Sequence, residues 1–197
     1  MANSPLHVGL SGSYIDNNVM DRVLRSDVIG ASPYLCVWGV SESTAFMFID
    51  QASTSQDPEF VRLNPLVRTL VLPVCLGFAD DAGEWQGGHF VTLKVNVRAK
   101  IVDVFDSLFG NASMLQVAAH ARTLTNNIWG TRSATCTVVR ARSDTQTAGS
   151  NDCGVFTFRN VCTIASSSHV LPFLGGIPMV SFDFIDREVF RRIVKRL

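Results

Sequence analysis

The chain has 197 residues, 47% hydrophobic and 17% charged, with 17 basic and 17 acidic side chains and a formal net charge of zero. That composition excludes a disordered chain and predicts one globular domain over residues 1–197 with a substantial core. The even charge balance leaves no basic excess for a nucleic-acid surface, so no nucleic-acid partner is expected.

In chain order, the first predicted helix covers about 16–25, with Asp16 as its cap and Val19, Met20, Val23 and Leu24 on one face. Residues 34–39 and 45–49 are rich in β-branched and aromatic side chains and read as strands, and 51–60 reads as a loop. Further strands are predicted at 69–75, 89–95, 100–105 and 135–140. A loop over 79–88 precedes His89. The strands 89–95 and 100–105 are separated by Asn96-Val97-Arg98-Ala99 and read as a hairpin. A helix is predicted from Asn111 to about Trp129, stopped by Gly130. Residues 143–152 form a third loop, and a helix starts at Cys153 and runs to about Ile164. Leu174-Gly175-Gly176-Ile177-Pro178 reads as a turn. A last helix covers 183–196, with Ile185, Val189, Phe190, Ile193 and Val194 periodic. Its basic residues Arg187, Arg191, Arg192, Lys195 and Arg196 read as a solvated face. Helices and strands mix without βαβ alternation, which predicts an α+β domain.

Five cysteines, Cys36, Cys75, Cys136, Cys153 and Cys162, make an odd count without Cys-x-x-Cys spacing. They predict free thiols in a reducing, intracellular compartment, cytoplasm or nucleus, rather than a disulfide framework or a zinc site. His7, His120 and His169 are scattered, so neither a metal nor another cofactor is expected. No run of about 18 apolar residues occurs and the N-terminus has no signal-peptide pattern, so no membrane partner is expected.

The chemistry-bearing residues come as an ordered set. If the hairpin forms, His89 opens one strand and Asp106 ends its antiparallel neighbour, so the two meet across 17 positions. An acid there can hold the imidazole in one tautomer and stabilise its charged form. Cys153 follows the polar Asn151-Asp152 at a helix start, where unpaired N–H groups and the helix dipole favour a thiolate. Gln146, seven residues earlier, offers a side-chain amide to a developing oxyanion. Gly149 lets the loop fold back, and Gly154 lets a substrate carbonyl approach the backbone.

Gly87-Gly88-His89-Phe90, Phe105-Asp106-Ser107-Leu108, Gln146 and Asp152-Cys153-Gly154-Val155-Phe156 together resemble the SUMO-specific proteases and the adenovirus maturation protease (adenain) group. Tyr14-Ile15-Asp16-Asn17-Asn18-Val19-Met20 and Val71-Leu72-Pro73-Val74 extend the likeness in weaker form. The resemblance implies a papain-like variant: a mainly antiparallel or mixed sheet flanked by helices, with the nucleophile at the N-terminus of a buried helix. It implies His89 as base, Asp106 as its orienter, Cys153 as nucleophile and Gln146 as oxyanion donor. The implied reaction is cleavage of peptide or isopeptide bonds after a Gly-rich sequence. The substrate would be a ubiquitin-like modifier or a viral polyprotein, and the compartment could be that of a host cell. Phe90 replaces the family's usual tryptophan after the histidine, and Trp85 is a candidate aromatic wall beside it, so Trp85, Phe90 and Gly154 are the expected substrate-binding positions. Two alternatives are a catalytically silent module that binds a ubiquitin-like protein, and a Cys-His acyltransferase of related fold. Arg140 and Arg142 are the basic residues such an acyltransferase could use to grip a cofactor phosphate.

Overall fold

The computed structural model describes residues 15–25, 29–48, 65–79, 85–108, 114, 117–119, 121–122, 136–147, 150–168, 173–174, 177–178 and 185–196. The elements, in chain order, are α1 (Asn17–Val23), β1 (Leu35–Val37), α2 (Val40–Phe48), β2 (Thr69–Ala79), β3 (Trp85–Asn96), β4 (Ile101–Phe105), β5 (Thr137–Arg140), α3 (Cys153–Ser167), β6 (Phe173–Leu174), β7 (Ile177–Pro178) and α4 (Arg187–Arg196). Residues 114, 117–119, 121 and 122 are also helical, within the helix expected at 111–129. The ends of that helix, Tyr14, Gly149 and the loop at 51–60 lie outside the described residues.

Five strands form one mixed sheet in the order β1-β2-β3-β4-β5. The outer pairs β1–β2 and β4–β5 are parallel, and the inner pairs β2–β3 and β3–β4 are antiparallel. Alternation along the strands divides the core into two layers. Val71, Cys75 and Phe90 face one layer, which holds Val19, Met20 and Val23 of α1, Phe158, Val161 and Cys162 of α3, and Phe190, Ile193 and Val194 of α4. Leu70, Leu72, Val74, Val91, Leu93, Val102 and Val104 face the other, packed with Trp38, Val117 and Ala121. The sheet is therefore covered on both sides, as the α+β expectation requires. The Phe158 and Phe190 rings meet edge to face at 5.4 Å and tie α3 to α4.

Local rules account for several elements. Asp16 caps α1, its carboxylate accepting from the Asn18 amide at 2.7 Å. Asp186 does the same for α4, accepting from the Val189 amide at 2.8 Å. This starts α4 at Arg187 instead of 183 and leaves the buried Ile185 before it. In the β3–β4 hairpin, the Asn96 side chain accepts from the Ala99 amide and its carbonyl from the Lys100 amide, with Lys100 in the left-handed region at φ 54°.

Two expectations are overturned. Residues 45–48 belong to a helix, not a strand. Asp21 of α1 supplies the N-cap of α2 from a distance: its Oδ1 accepts from the Val40 amide at 2.5 Å and its Oδ2 from the Ser41 hydroxyl at 2.6 Å. Residues 85–88, expected in a loop, lie in β3, and β2 continues to Ala79, so the hairpin is longer than its composition suggests. Pro73 is tolerated in β2 because β1 pairs no further than Val71. Beyond that point α2 covers the strand edge, where Thr44 Oγ1 accepts from the Cys75 amide at 3.0 Å.

Candidate active site

The β2–β3 pairing slips once: Leu76 faces His89, and the next pair is Gly77 with Gly87. Gly88 is therefore the extra residue of a bulge immediately before His89. Bulges of this kind re-aim the neighbouring side chain. On the other side of β3, Thr92 pairs with Phe105, the last residue of β4, so the chain leaving β4 runs on beside the first half of β3 and brings Asp106 to His89.

His89 Nε2 donates to Asp106 Oδ1 at 2.6 Å. The same Oδ1 accepts from the Leu108 amide at 2.8 Å, and the Asp106 carbonyl accepts from the Ser143 hydroxyl at 2.8 Å. The Asp106 side chain is fully buried and that of His89 is 13% exposed. Burial opposes a charged imidazole, but the bond to Asp106 and the Cys153 side chain beside the ring outweigh it and raise the His89 pKa from 6.5 to about 9. The second ring nitrogen, Nδ1, is buried without a hydrogen-bond partner. It is the ring nitrogen with which a neighbouring thiol could exchange a proton.

Cys153 is 2% exposed and is the first residue of α3. Asp152 precedes it at the cap position, yet makes no side-chain cap bond. Its carboxylate is held by Arg187 of α4, whose Nε donates to Asp152 Oδ1 at 2.5 Å while its second guanidinium nitrogen donates to the Asn151 carbonyl. The expected solvated basic face thus does not include Arg187, whose side chain is only 11% exposed. Burial pushes the thiols of Cys36 and Cys162 up.

Gln146 lies in the irregular segment between β5 and α3 and is pinned to the end of β4. Its amide N–H donates to the Ser107 carbonyl at 3.0 Å, and its Oε1 accepts from the Ser107 hydroxyl at 2.8 Å. With Oε1 occupied, the Nε2 group is the end that donates, and one of its hydrogens goes to the Ser150 carbonyl at 2.8 Å. The second hydrogen is the one an oxyanion could use. Arg159 of α3 steadies the same segment by its 2.7 Å pair with Asp144.

The structure thus brings His89, Asp106 and Cys153 together and fixes Gln146 through Ser107. It does not place two of the expected substrate-binding residues on a surface. The Phe90 ring is 4% exposed and belongs to the core layer under α3. Gly154 is buried, and a Cβ there would lie 2.8 Å from Ile15 Cδ1. Close packing of α3 against the residue before α1, rather than approach of a substrate, is why glycine fits. Trp85 opens β3, but its side chain lies outside the described ones. Arg140, the candidate phosphate ligand, donates to the Leu108 carbonyl at 3.3 Å. Sequence reasoning missed Ser107 and Arg187, whose partners lie 39 and 35 positions away.

Among the described residues, no group of three or more His, Cys, Asp or Glu side chains could hold a metal ion, and no helix is long and apolar enough to cross a membrane.

Residues 67–193 match a family described as "Ulp1 protease family, C-terminal catalytic domain". Among curated protein sequences, none is significantly similar. Solved structures share the fold at low identity. The SUMO protease Ulp1, with its catalytic cysteine oxidised to a sulfenic acid, superposes with a TM-score of 0.58 at 12% identity, over 93% of this chain and 76% of that one. The Ulp1 protease domain in complex with Smt3, the yeast ortholog of SUMO, gives 0.56 at 11%, over 92% and 74%. The Xanthomonas campestris effector XopD bound to ubiquitin gives 0.57 at 13%, over 100% and 97%.

Proposed function

The chain belongs to the Ulp1 protease family and is a cysteine protease; from that premise we propose that Cys153, His89 and Asp106 form its catalytic triad and that it cleaves at the C-terminus of a ubiquitin-like modifier. The observation that carries the assignment is the 2.6 Å bond from His89 Nε2 to the buried Asp106, which leaves Nδ1 for the thiol at the head of α3.

The mechanism follows from that geometry. Asp106 fixes the ring and favours its charged form, so Nδ1 can take the thiol proton as the sulfur attacks. The thiolate attacks the scissile carbonyl carbon. The resulting oxyanion is met by the Cys153 amide and the free Nε2 hydrogen of Gln146. His89 then returns the proton to the leaving amine, giving an acyl-enzyme that water hydrolyses.

The substrate class rests on two supports. Two structural neighbours are seen with SUMO or ubiquitin bound. The thiol is also nearly buried, which favours a narrow segment such as consecutive glycines over one carrying bulky side chains. The protease domain is proposed to span 1–197, of which 67–193 match the family. A panel of fluorogenic modifiers (SUMO, ubiquitin and other ubiquitin-like proteins with a C-terminal reporter) tests the class. Release from at least one modifier, lost in Cys153→Ala, is expected. Cleavage confined to polyprotein-derived peptides would overturn it, and acyl transfer without hydrolysis would support the acyltransferase instead.

A further inference from the structure

Asp152 stands where a helix cap would stand and does not cap. Asp at this position ordinarily accepts from the second or third amide of the helix. Here its backbone, at φ −93° and ψ 5°, is outside the extended region a capping residue adopts, and its carboxylate makes no bond to the amides of α3. Arg187 accounts for both facts. One arm of its guanidinium takes the carboxylate and another takes the Asn151 carbonyl, so side chain and backbone are held together away from the helix end. Arg187 is itself positioned by the Asp186 cap at the start of α4, and α4 is anchored by Phe190 against Phe158 of α3.

We infer that Arg187 is a positioning residue that withdraws the Asp152 carboxylate from the N-terminus of α3 and so keeps the first amides of that helix available to the sulfur and the oxyanion of Cys153. The inference rests on the assignment of Cys153 as nucleophile. Its physical basis is competition for one site. The N-terminal amides and dipole of a helix favour one anion strongly. A neighbouring carboxylate placed there would satisfy the same donors and repel a thiolate beside it. Pairing that carboxylate with a guanidinium neutralises it and fixes its direction, which Arg does better than Lys because two nitrogens are engaged at once. The apolar neighbour on the other side, Ile15 against Gly154, supplies no competing charge.

The test compares the full-length protein with Arg187→Ala, Asp152→Asn and the double variant. Steady-state kcat and KM on a fluorogenic modifier substrate are read beside the rate of Cys153 alkylation by iodoacetamide. Arg187→Ala should lower kcat and the alkylation rate about tenfold or more, the equivalent of about 1.4 kcal/mol of lost anion stabilisation, with KM changed little. Adding Asp152→Asn to Arg187→Ala should restore most of both rates, because the competing charge is gone. A role for Arg187 in folding alone predicts that the double variant is as slow as Arg187→Ala, and that result overturns the inference, as does a wild-type kcat in Arg187→Ala. If Arg187→Ala does not fold, the same pair of measurements is made on Arg187→Lys and Arg187→Lys with Asp152→Asn. Retained modification of Cys153 by a modifier-derived electrophile in a protein that shows no rescue sinks this inference while leaving the nucleophile in place. Loss of that modification in the wild type sinks the nucleophile itself.

Discussion

Two substitutions of Asp106 separate its two functions. The carboxylate oxygen Oδ1 accepts from both His89 Nε2 and the Leu108 amide. In Asp106→Asn, a carbonyl oxygen at that place keeps both bonds and therefore the ring tautomer, but removes the negative charge. In Asp106→Ala both bonds vanish, and the Leu108 amide loses its partner in a part-buried place. The charged imidazole is favoured by a rise from 6.5 to about 9, roughly 3 kcal/mol net, because Asp106 and Cys153 together outweigh the opposing effect of burial. Losing the carboxylate leaves the opposing effect of burial in place. The alkaline limb of kcat/KM against pH should therefore fall from near 9 by about two pH units in Asp106→Ala, with a smaller fall in Asp106→Asn. At neutral pH the Ala variant should lose on the order of 10²–10⁴ in kcat by analogy with other orienting carboxylates. The assay is a pH series with a fluorogenic modifier substrate, supported by NMR titration of the His89 ring. An alkaline limb that does not move in either variant, or an Ala variant faster than the Asn variant, refutes the assignment of Asp106 as orienter.

The same proton is linked to stability. The folded protein holds it more tightly than the unfolded chain, so the stabilisation is complete below about pH 6.5 and is lost as pH rises through about 9; urea denaturation across that window should show the decline, and should show less of it in Asp106→Ala. Ser107→Ala removes the hydroxyl that orients the Gln146 amide, and should lower kcat by roughly fivefold with KM unchanged, the worth of one hydrogen bond of about 1 kcal/mol. In a Gln146→Ala background the same change should cost little, and a full, additive loss there contradicts the role given to Ser107. Gly39→Ala would set a Cβ 2.9 Å from the Asp21 Oδ1 that caps α2, so thermal denaturation should show a loss of about 1–2 kcal/mol. That loss should shrink in an Asp21→Ala background, where the clash and the cap are already absent.

What was legible in the sequence is what local rules decide. Asp16 with the periodic Val19, Met20 and Val23 announced α1, and the apolar run after Cys153 announced α3. The two β-branched-rich runs joined by the short Asn96-Val97-Arg98-Ala99 linker announced the hairpin that brings His89 to Asp106. The misread parts depend on partners far along the chain. Ala45-Phe46-Met47-Phe48 has the composition of a strand, and it is helical because Asp21, 19 positions before Val40, caps the helix. Gly87-Gly88 resembled a loop, but the pair accommodates a bulge inside a strand whose neighbour sets its register. Arg187 looked like one more solvated cation on a basic helix until α4 packed it beside Asp152. Phe90 stands next to His89 in sequence, and strand alternation turns it into the core.

A Cys153 that attacks the C-terminal carbonyl of a ubiquitin-like modifier can be trapped in the act. The most direct measurement is covalent capture: the protein is incubated with modifiers carrying a C-terminal electrophile, and the adduct is mapped by mass spectrometry. A one-to-one adduct on Cys153 with at least one modifier is expected, slowed in Asp106→Ala and absent in Cys153→Ala. An adduct on Cys75 or another thiol, or one that survives Cys153→Ala, contradicts it.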